Sequence, residues 1–216
     1  MAGWEIDSKS VARAAAAEKE FLILVFQRLS ALRSGRLLNY SELARDASVS
    51  VDTARRYLEY LRLSYQVALL PPFERSLTSS VVKTPKLYWL DTGILRRLSG
   101  RRGEVDGEIY ETMVVSEILK WTRTAGRNAE LYFYRTQSGL ELDLLIGLEG
   151  GRYMGLEIKS RRTATPKDTR SMKAVAEALG PRWAGGIVVY RGDEIKRIAE
   201  PSIWIVPSKR LFTMAG

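Results

Sequence analysis

The 216-residue sequence contains no cysteine and no histidine. These two absences exclude disulfides, thiolate chemistry, zinc sites built on Cys or His, and a histidine general base. Any catalysis must therefore rest on carboxylates, lysines, hydroxyls and a hard metal ion. Long apolar runs are also absent. The stretch Phe21 to Phe26 is too short to span a bilayer, and no basic start leads into a secretory apolar segment, so a cytoplasmic chain without a membrane partner is expected. No GxxxxGK[ST] segment occurs, and Gly139, Gly147, Gly150, Gly151 and Gly155 do not build a nucleotide loop, so no ATP site is expected. What is present is the composition of an ordered protein, 45% apolar and 27% charged, with a formal charge of +9. That excess of positive charge favours an anionic partner, nucleic acid ahead of a membrane surface.

The most informative stretch is Leu131 to Ser160. Leu142 to Leu148 and Tyr153 to Ile158 have strand length, and Glu149-Gly150-Gly151 suits a three-residue hairpin loop, with Gly151 able to adopt the left-handed conformation. Pairing Leu148 with Arg152 sets Asp143 opposite Glu157 and Glu141 opposite Lys159, while Glu157 and Lys159 share a face. Paired carboxylates beside an ammonium suit Mg2+ or Mn2+ near a phosphate. The same residues also suit the solvated face of a sheet.

Upstream, Val11 to Leu32 reads as a helix with one apolar stripe. Met1 to Lys9 resembles neither a capped element nor a targeting peptide, and the expectation is a fragment or one domain of a longer product. Asn39 or Ser41 caps a short helix through Ala47, and Ser50 or Asp52 caps a second, running to about Leu63 with Ala54, Tyr57, Leu58 and Leu61 inward. A strand at Gln66 to Leu70 follows, ended by Pro71-Pro72. Two short helices and a strand fit a winged helix-turn-helix, whose second helix would offer Arg55, Arg56 and Arg62 to phosphates. The expected division is a helical and winged module at 11–80, a connecting segment at 81–103, and a second domain at 104–210. In the connecting segment Asp91 is expected to cap a helix from Ile94 to Leu98, and Ser99 to Gly103 to form a hinge.

In the second domain Gly107 to Thr122 reads as an amphipathic helix with Ile109, Met113, Val114, Ile118 and Trp121 toward a core. Beyond Ser160, the loop carrying Arg161, Arg162 and Lys167 suits a phosphate backbone or solvent, and Asp168 is expected to cap a helix through Leu179. Gly186 to Tyr190 reads as a crossover strand of a mixed sheet, with short strands at Ile195 to Ile198 and Ile203 to Val206.

These residues carry a resemblance. Asp143 with Glu157-Ile158-Lys159, and Glu111 on the preceding helix, resemble the PD-(D/E)xK nuclease superfamily. The ordered segments LLNYSELA from Leu37, KTPKLYWLDTG from Lys83, GEIYE from Gly107 and YRTQSG from Tyr134 resemble the C-terminal region of a prokaryotic family of AAA+-like ATPases ending in a nuclease-like domain of unknown function. The resemblance implies an α+β protein, an N-terminal winged helix followed by a restriction-endonuclease-like α/β domain with a mixed sheet. It implies Asp143, Glu157 and Glu111 as metal ligands for Mg2+ or Mn2+, and Lys159 as the residue that positions water or stabilises phosphoryl charge. Gln137 would assist orientation. The implied partners are DNA and an ATPase domain or partner protein. The alternative is a non-catalytic nucleic-acid or protein-interaction module that keeps the fold.

Overall fold

The computed structural model describes residues 8–74, 82–124, 129–198 and 202–212. The N-terminal half comprises α1 (Ser8–Ala31), β1 (Arg36–Leu37), α2 (Tyr40–Asp46), α3 (Val51–Leu63), β2 (Val67–Leu70), β3 (Lys86–Trp89) and α4 (Thr92–Ser99). Short polar side chains start its helices. Asn39 Oδ1 accepts from the N–H of Glu42 at 3.1 Å, Ser50 Oγ from Thr53 at 3.1 Å and Asp91 Oδ1 from Ile94 at 2.8 Å, each satisfying an otherwise orphaned helix donor. Ala54, Tyr57, Leu58 and Leu61 bury the inner stripe of α3, and Tyr57 stacks on Phe26 of α1.

One sequence expectation fails here. The segment 81–103 is not a connector, because β3 is the central strand of an antiparallel sheet of order β1-β3-β2. All four of its residues are buried. Trp89 is anchored by its backbone N–H to Ser34 Oγ (3.0 Å) and by its indole N–H to Ser30 Oγ (3.2 Å). Leu95 of α4 lies in the same apolar core as Phe26, Leu43, Leu58 and Trp89. The stretch Phe73 to Val82, whose sequence reads as a polar linker or wing, falls mostly outside the described residues.

The C-terminal half comprises α5 (Gly107–Thr124), β4 (Leu131–Arg135), β5 (Glu141–Gly147), β6 (Tyr153–Lys159), α6 (Arg170–Leu179), β7 (Trp183–Tyr190), β8 (Lys196–Ile198), β9 (Ile203–Pro207) and the short α7 (Ser208–Phe212). Its strands form one mixed sheet of order β4-β5-β6-β7-β9-β8. The pairs β4/β5, β5/β6 and β8/β9 are antiparallel, and β6/β7 and β7/β9 are parallel. Val114, Val115 and Leu119 of α5 bury one face, and Met172, Val175 and Leu179 of α6 bury the other. Helices on both faces explain why β6 and β7 are apolar almost throughout.

Two local expectations also change. Trp121 is 51% exposed rather than turned to the core, because the buried stripe at this end of α5 runs through Leu119 and Thr122 on either side of it. Asp168 does not begin α6. It closes a capping box with Thr165 over a 3-10 turn, Pro166–Thr169, and α6 starts at Arg170. Its carboxyl, held below the ordinary range by bonds from Arg161 and Thr165 that outweigh partial burial, fixes the loop instead.

The two halves share a core. Ala68, Leu70 and Tyr88 pack in the same cluster as Val114, Phe133, Leu144 and Leu156. The chain leaving β2 also lies along the outer edge of β4, where the N–H of Phe73 donates to Phe133 O at 2.7 Å and the N–H of Phe133 to Pro71 O at 3.1 Å. Pairing that edge satisfies backbone groups otherwise open to association. Among the described residues no helix is long and apolar enough to cross a membrane.

Candidate active site

The hairpin between β5 and β6 has the register expected from its sequence. Leu148 N–H donates to Arg152 O at 2.8 Å, and the ladder runs from Gly147↔Tyr153 to Leu144↔Leu156. Gly150 and Gly151 turn it with φ of 74° and 69°, which glycine adopts without a Cβ penalty. Past Leu144↔Leu156 the strands part, so the expected pairs Asp143 with Glu157 and Glu141 with Lys159 are not formed. In a continued ladder the N–H of Ile158 would reach the carbonyl of Leu142; here Asp143 Oδ2 takes that proton at 2.7 Å. The side chain thereby opens the sheet where the conspicuous acids sit.

Glu157 is buried, 6% exposed. Its Oε1 accepts from Lys159 Nζ at 2.5 Å and its Oε2 from Ser171 Oγ, at the start of α6, at 3.1 Å. Glu111, in the second turn of α5, accepts on Oε1 from Tyr88 OH at 2.6 Å and from Lys86 Nζ at 3.1 Å. Lys86 also meets Glu141 at 2.5 Å, and Arg135 reaches Glu141 at 3.4 Å. Asp143, Glu157, Glu111 and Lys159 are thus brought into one neighbourhood at the C-terminal end of β6.

The sequence did not single out Lys86, Tyr88 or Ser171. Lys86 and Tyr88 alternate along β3 and carry the N-terminal half into the acid cluster. The available signal was a lysine in an otherwise apolar strand, which requires a counter-charge when buried. Ser171 left no local signal, because its place depends on where α6 crosses β6.

Electrostatics separate the four acids. Glu111, Glu141 and Glu157 each face a lysine, while Asp143 has no ion pair among the described residues. Burial, followed by the charges of Glu111 and Glu157, pushes the Asp143 carboxyl well above the usual range, against Lys86 and the Ile158 N–H. Burial also raises Glu157, with Lys159 and Ser171 opposing it. For Lys86, burial alone would lower the pKa, but the charges of Glu111, Glu141 and Asp143 outweigh it and hold the ammonium above its ordinary value. Lys159 is likewise raised, Glu157 outweighing burial. Burial and Glu111 raise Tyr88, so its phenol remains a proton donor.

Among the described residues no group of three or more acidic side chains converges as a ready metal cage. Asp143 and Glu157 nevertheless offer oxygen donors of the kind a hard divalent cation takes. Their negative forms destabilise one another, and Asp143, though within the field of Lys86, has no ion pair among the described residues. Glu111 is held by Lys86 and Tyr88.

The phosphate-binding candidates are all surface residues. Arg55 lies 4.6 Å from the Tyr40 ring centroid and Arg56 5.9 Å from that of Tyr57. Arg62 is committed to Glu59 through bonds of 2.7 and 2.5 Å. Arg161 binds Asp168 and the Thr163 carbonyl. Arg162 and Lys167 are exposed, as is Gln137 in the turn after β4.

With this geometry in place, the comparisons with known proteins divide the chain where the fold does. Residues 8–104 match the family described as Domain of unknown function (DUF8612), and residues 106–211 match Domain of unknown function (DUF4143). The chain thus matches two domains of unknown function in succession. Uncharacterized proteins of Mycobacterium bovis and Mycobacterium tuberculosis are each 33% identical to it over 186 residues, 83% of this chain. The chain spans 40% of the length of these curated relatives. No solved structure matches.

Proposed function

We propose that this chain is a DNA-directed, divalent-metal-dependent phosphodiester hydrolase with a PD-(D/E)xK-type site, accompanied by a winged helix. The observation that carries the reading is the parting of β5 and β6 at Asp143 and Glu157, with Lys159 two residues further on the face of Glu157. The order α5-β4-β5-β6-α6-β7, antiparallel through β6 and then parallel, supports the nuclease-like core. The order α1-β1-α2-α3-β2-β3, with sheet order β1-β3-β2, supports the winged helix.

In this reading Asp143 and Glu157 hold Mg2+ or Mn2+, which when bound polarises a phosphate and acidifies a water. The chain's own residues complete the chemistry. Lys159, now hydrogen-bonded to Glu157, points its ammonium along the same face and stabilises charge developing on phosphoryl oxygens. Ser171 fixes the second oxygen of Glu157. Tyr88 and Lys86 neutralise Glu111, so that its charge does not repel a phosphate. Arg55, Arg56, Arg161, Arg162 and Lys167 supply backbone contacts that carry no sequence information.

Lys159→Ala is expected to lower cleavage of single-stranded, duplex or branched DNA with Mg2+ or Mn2+ by about 100-fold or more. Folding and DNA affinity should be retained. Equal cleavage by the variant, or no cleavage by the wild type on any form, would remove the hydrolase assignment.

A second reading has its own observation. The ion pair of Arg62 with Glu59 neutralises part of the outward face of α3, and Tyr60, Leu63 and Tyr65 at its C-terminal end are 49%, 62% and 75% exposed. Such a face suits docking against a protein partner, an ATPase domain included, more than a phosphate backbone.

A further inference from the structure

The junction between α4 and α5 carries a feature that the proposed site does not use. Arg96, Arg97, Gly100, Arg101, Arg102 and Gly103 line a surface concavity of about 280 Å³. Gly100 and Gly103 have φ of 69° and 90°, and a Cβ on either would meet nothing within 4 Å, so the backbone there is open to close approach.

The four arginines are not equivalent. Arg96 donates to the Gly103 carbonyl at 2.6 Å and closes the turn on itself. Arg101 is held by Glu108 at 2.6 Å and Asp106 at 3.4 Å. Arg97 and Arg102 are exposed and have no partner among the described residues. Two guanidiniums are therefore spent on shaping the concavity, and two remain available for an external anion. The nearby acids are Asp106 and Glu108, both engaged, and the exposed Glu104.

The concavity is physically connected to the acid cluster. The Arg191 guanidinium donates to the Val105 carbonyl at 3.4 Å, and the Arg191 N–H to the Arg161 carbonyl at 3.1 Å. A Cβ on Gly107 would lie 3.6 Å from Ser160 Oγ, the residue after Lys159. Gly103 and Gly107 are four positions apart, a reach of at most roughly 14 Å, or about four base-pair rises along a duplex axis.

We infer that the arginine-lined concavity at the α4–α5 junction binds backbone phosphates of a nucleic-acid strand whose path continues past Arg191 and Arg161 to the acid cluster. Arg97 and Arg102 make the contacts, Arg101 and Arg96 set their geometry, and the two glycines let the strand approach the backbone. This rests on the proposed reading of the cluster as a phosphodiester site and specifies how its substrate is held.

The test is binding of a short DNA duplex without divalent metal, measured across a salt series. The Arg97→Ala/Arg102→Ala double variant is expected to bind about five- to tenfold more weakly, with the slope of log K against log salt reduced by about 2. Arg97→Lys/Arg102→Lys should restore most of both. The control, Arg152→Ala/Arg182→Ala, lies at the opposite end of β6, roughly 20 Å away, and should leave both unchanged. An unaltered slope in the Arg97/Arg102 double, or an equal loss in the control, would overturn the inference. Cleavage is a separate readout. Binding loss in the double variant of a protein that never cuts would sustain the phosphate site while sinking the hydrolase.

Discussion

Replacing Lys86 by methionine is expected to lower stability by about 2–3 kcal/mol, or roughly 5–10 °C in Tm for a chain of this size. The ammonium is buried between Glu111 and Glu141, with side-chain exposures of 4%, 21% and 28%. Removing it leaves two carboxylates facing each other, with Asp143 close by. The loss falls below the 3–5 kcal/mol typical of a fully buried broken pair, because both glutamates keep some access to water. Adding Glu111→Gln should recover part of the loss, a coupling that a double-mutant cycle in chemical denaturation would measure. Additive losses would mean that Lys86 matters for packing on Phe133, 5.6 Å from its ring centroid, rather than for charge. Because Lys86 belongs to β3 and Glu111 to α5, the variant should loosen both halves in one transition.

The second large effect has the opposite sign. Asp143→Asn is expected to stabilise the metal-free protein by about 1–3 kcal/mol at neutral pH, since it removes a desolvated charge while keeping an oxygen for the Ile158 N–H. The pH dependence follows from the direction of the shift. The Asp143 pKa is raised on folding, so between the unfolded and folded values the native state binds the additional proton. Stability therefore falls as pH rises from about 4 toward the folded value. The stability gap between variant and wild type should accordingly be small near pH 4 and widen above it, measured by thermal melts in a metal-free buffer. A gap independent of pH would show that Asp143 is not destabilised as a carboxylate. A functional acid carried at a cost in stability is what a binding site would require.

Much of the site was legible because its register is local. Two glycines and a pair of alternating apolar segments fix the β5–β6 hairpin, so the positions of Asp143, Glu157 and Lys159 follow from short-range chemistry. The same holds for the caps Asn39, Ser50 and Asp91, whose hydrogen bonds span three residues. Lys86 and Ser171 were not legible because they enter from elements far away in sequence. The placement of β3 in a connecting segment failed for a related reason. A four-residue strand beside a proline looks like linker until its partners at β1 and β2 are known. Trp121 was misplaced because the buried stripe of α5 includes Thr112, Ser116 and Thr122, polar residues that a count of apolar positions leaves out. Asp168 shows the ambiguity of a capping residue, which can begin a helix or close the turn before it.

The most direct test of the metal-site claim is a Mn2+ titration of the purified chain followed by electron paramagnetic resonance. The account predicts one saturable site per chain that is lost in Asp143→Asn and retained in Glu117→Gln, whose carboxylate pairs with Lys120 on the same helix. Absence of saturable binding in the wild type, or equal binding by Asp143→Asn, would contradict it and leave the cluster as a structural network of acids and lysines.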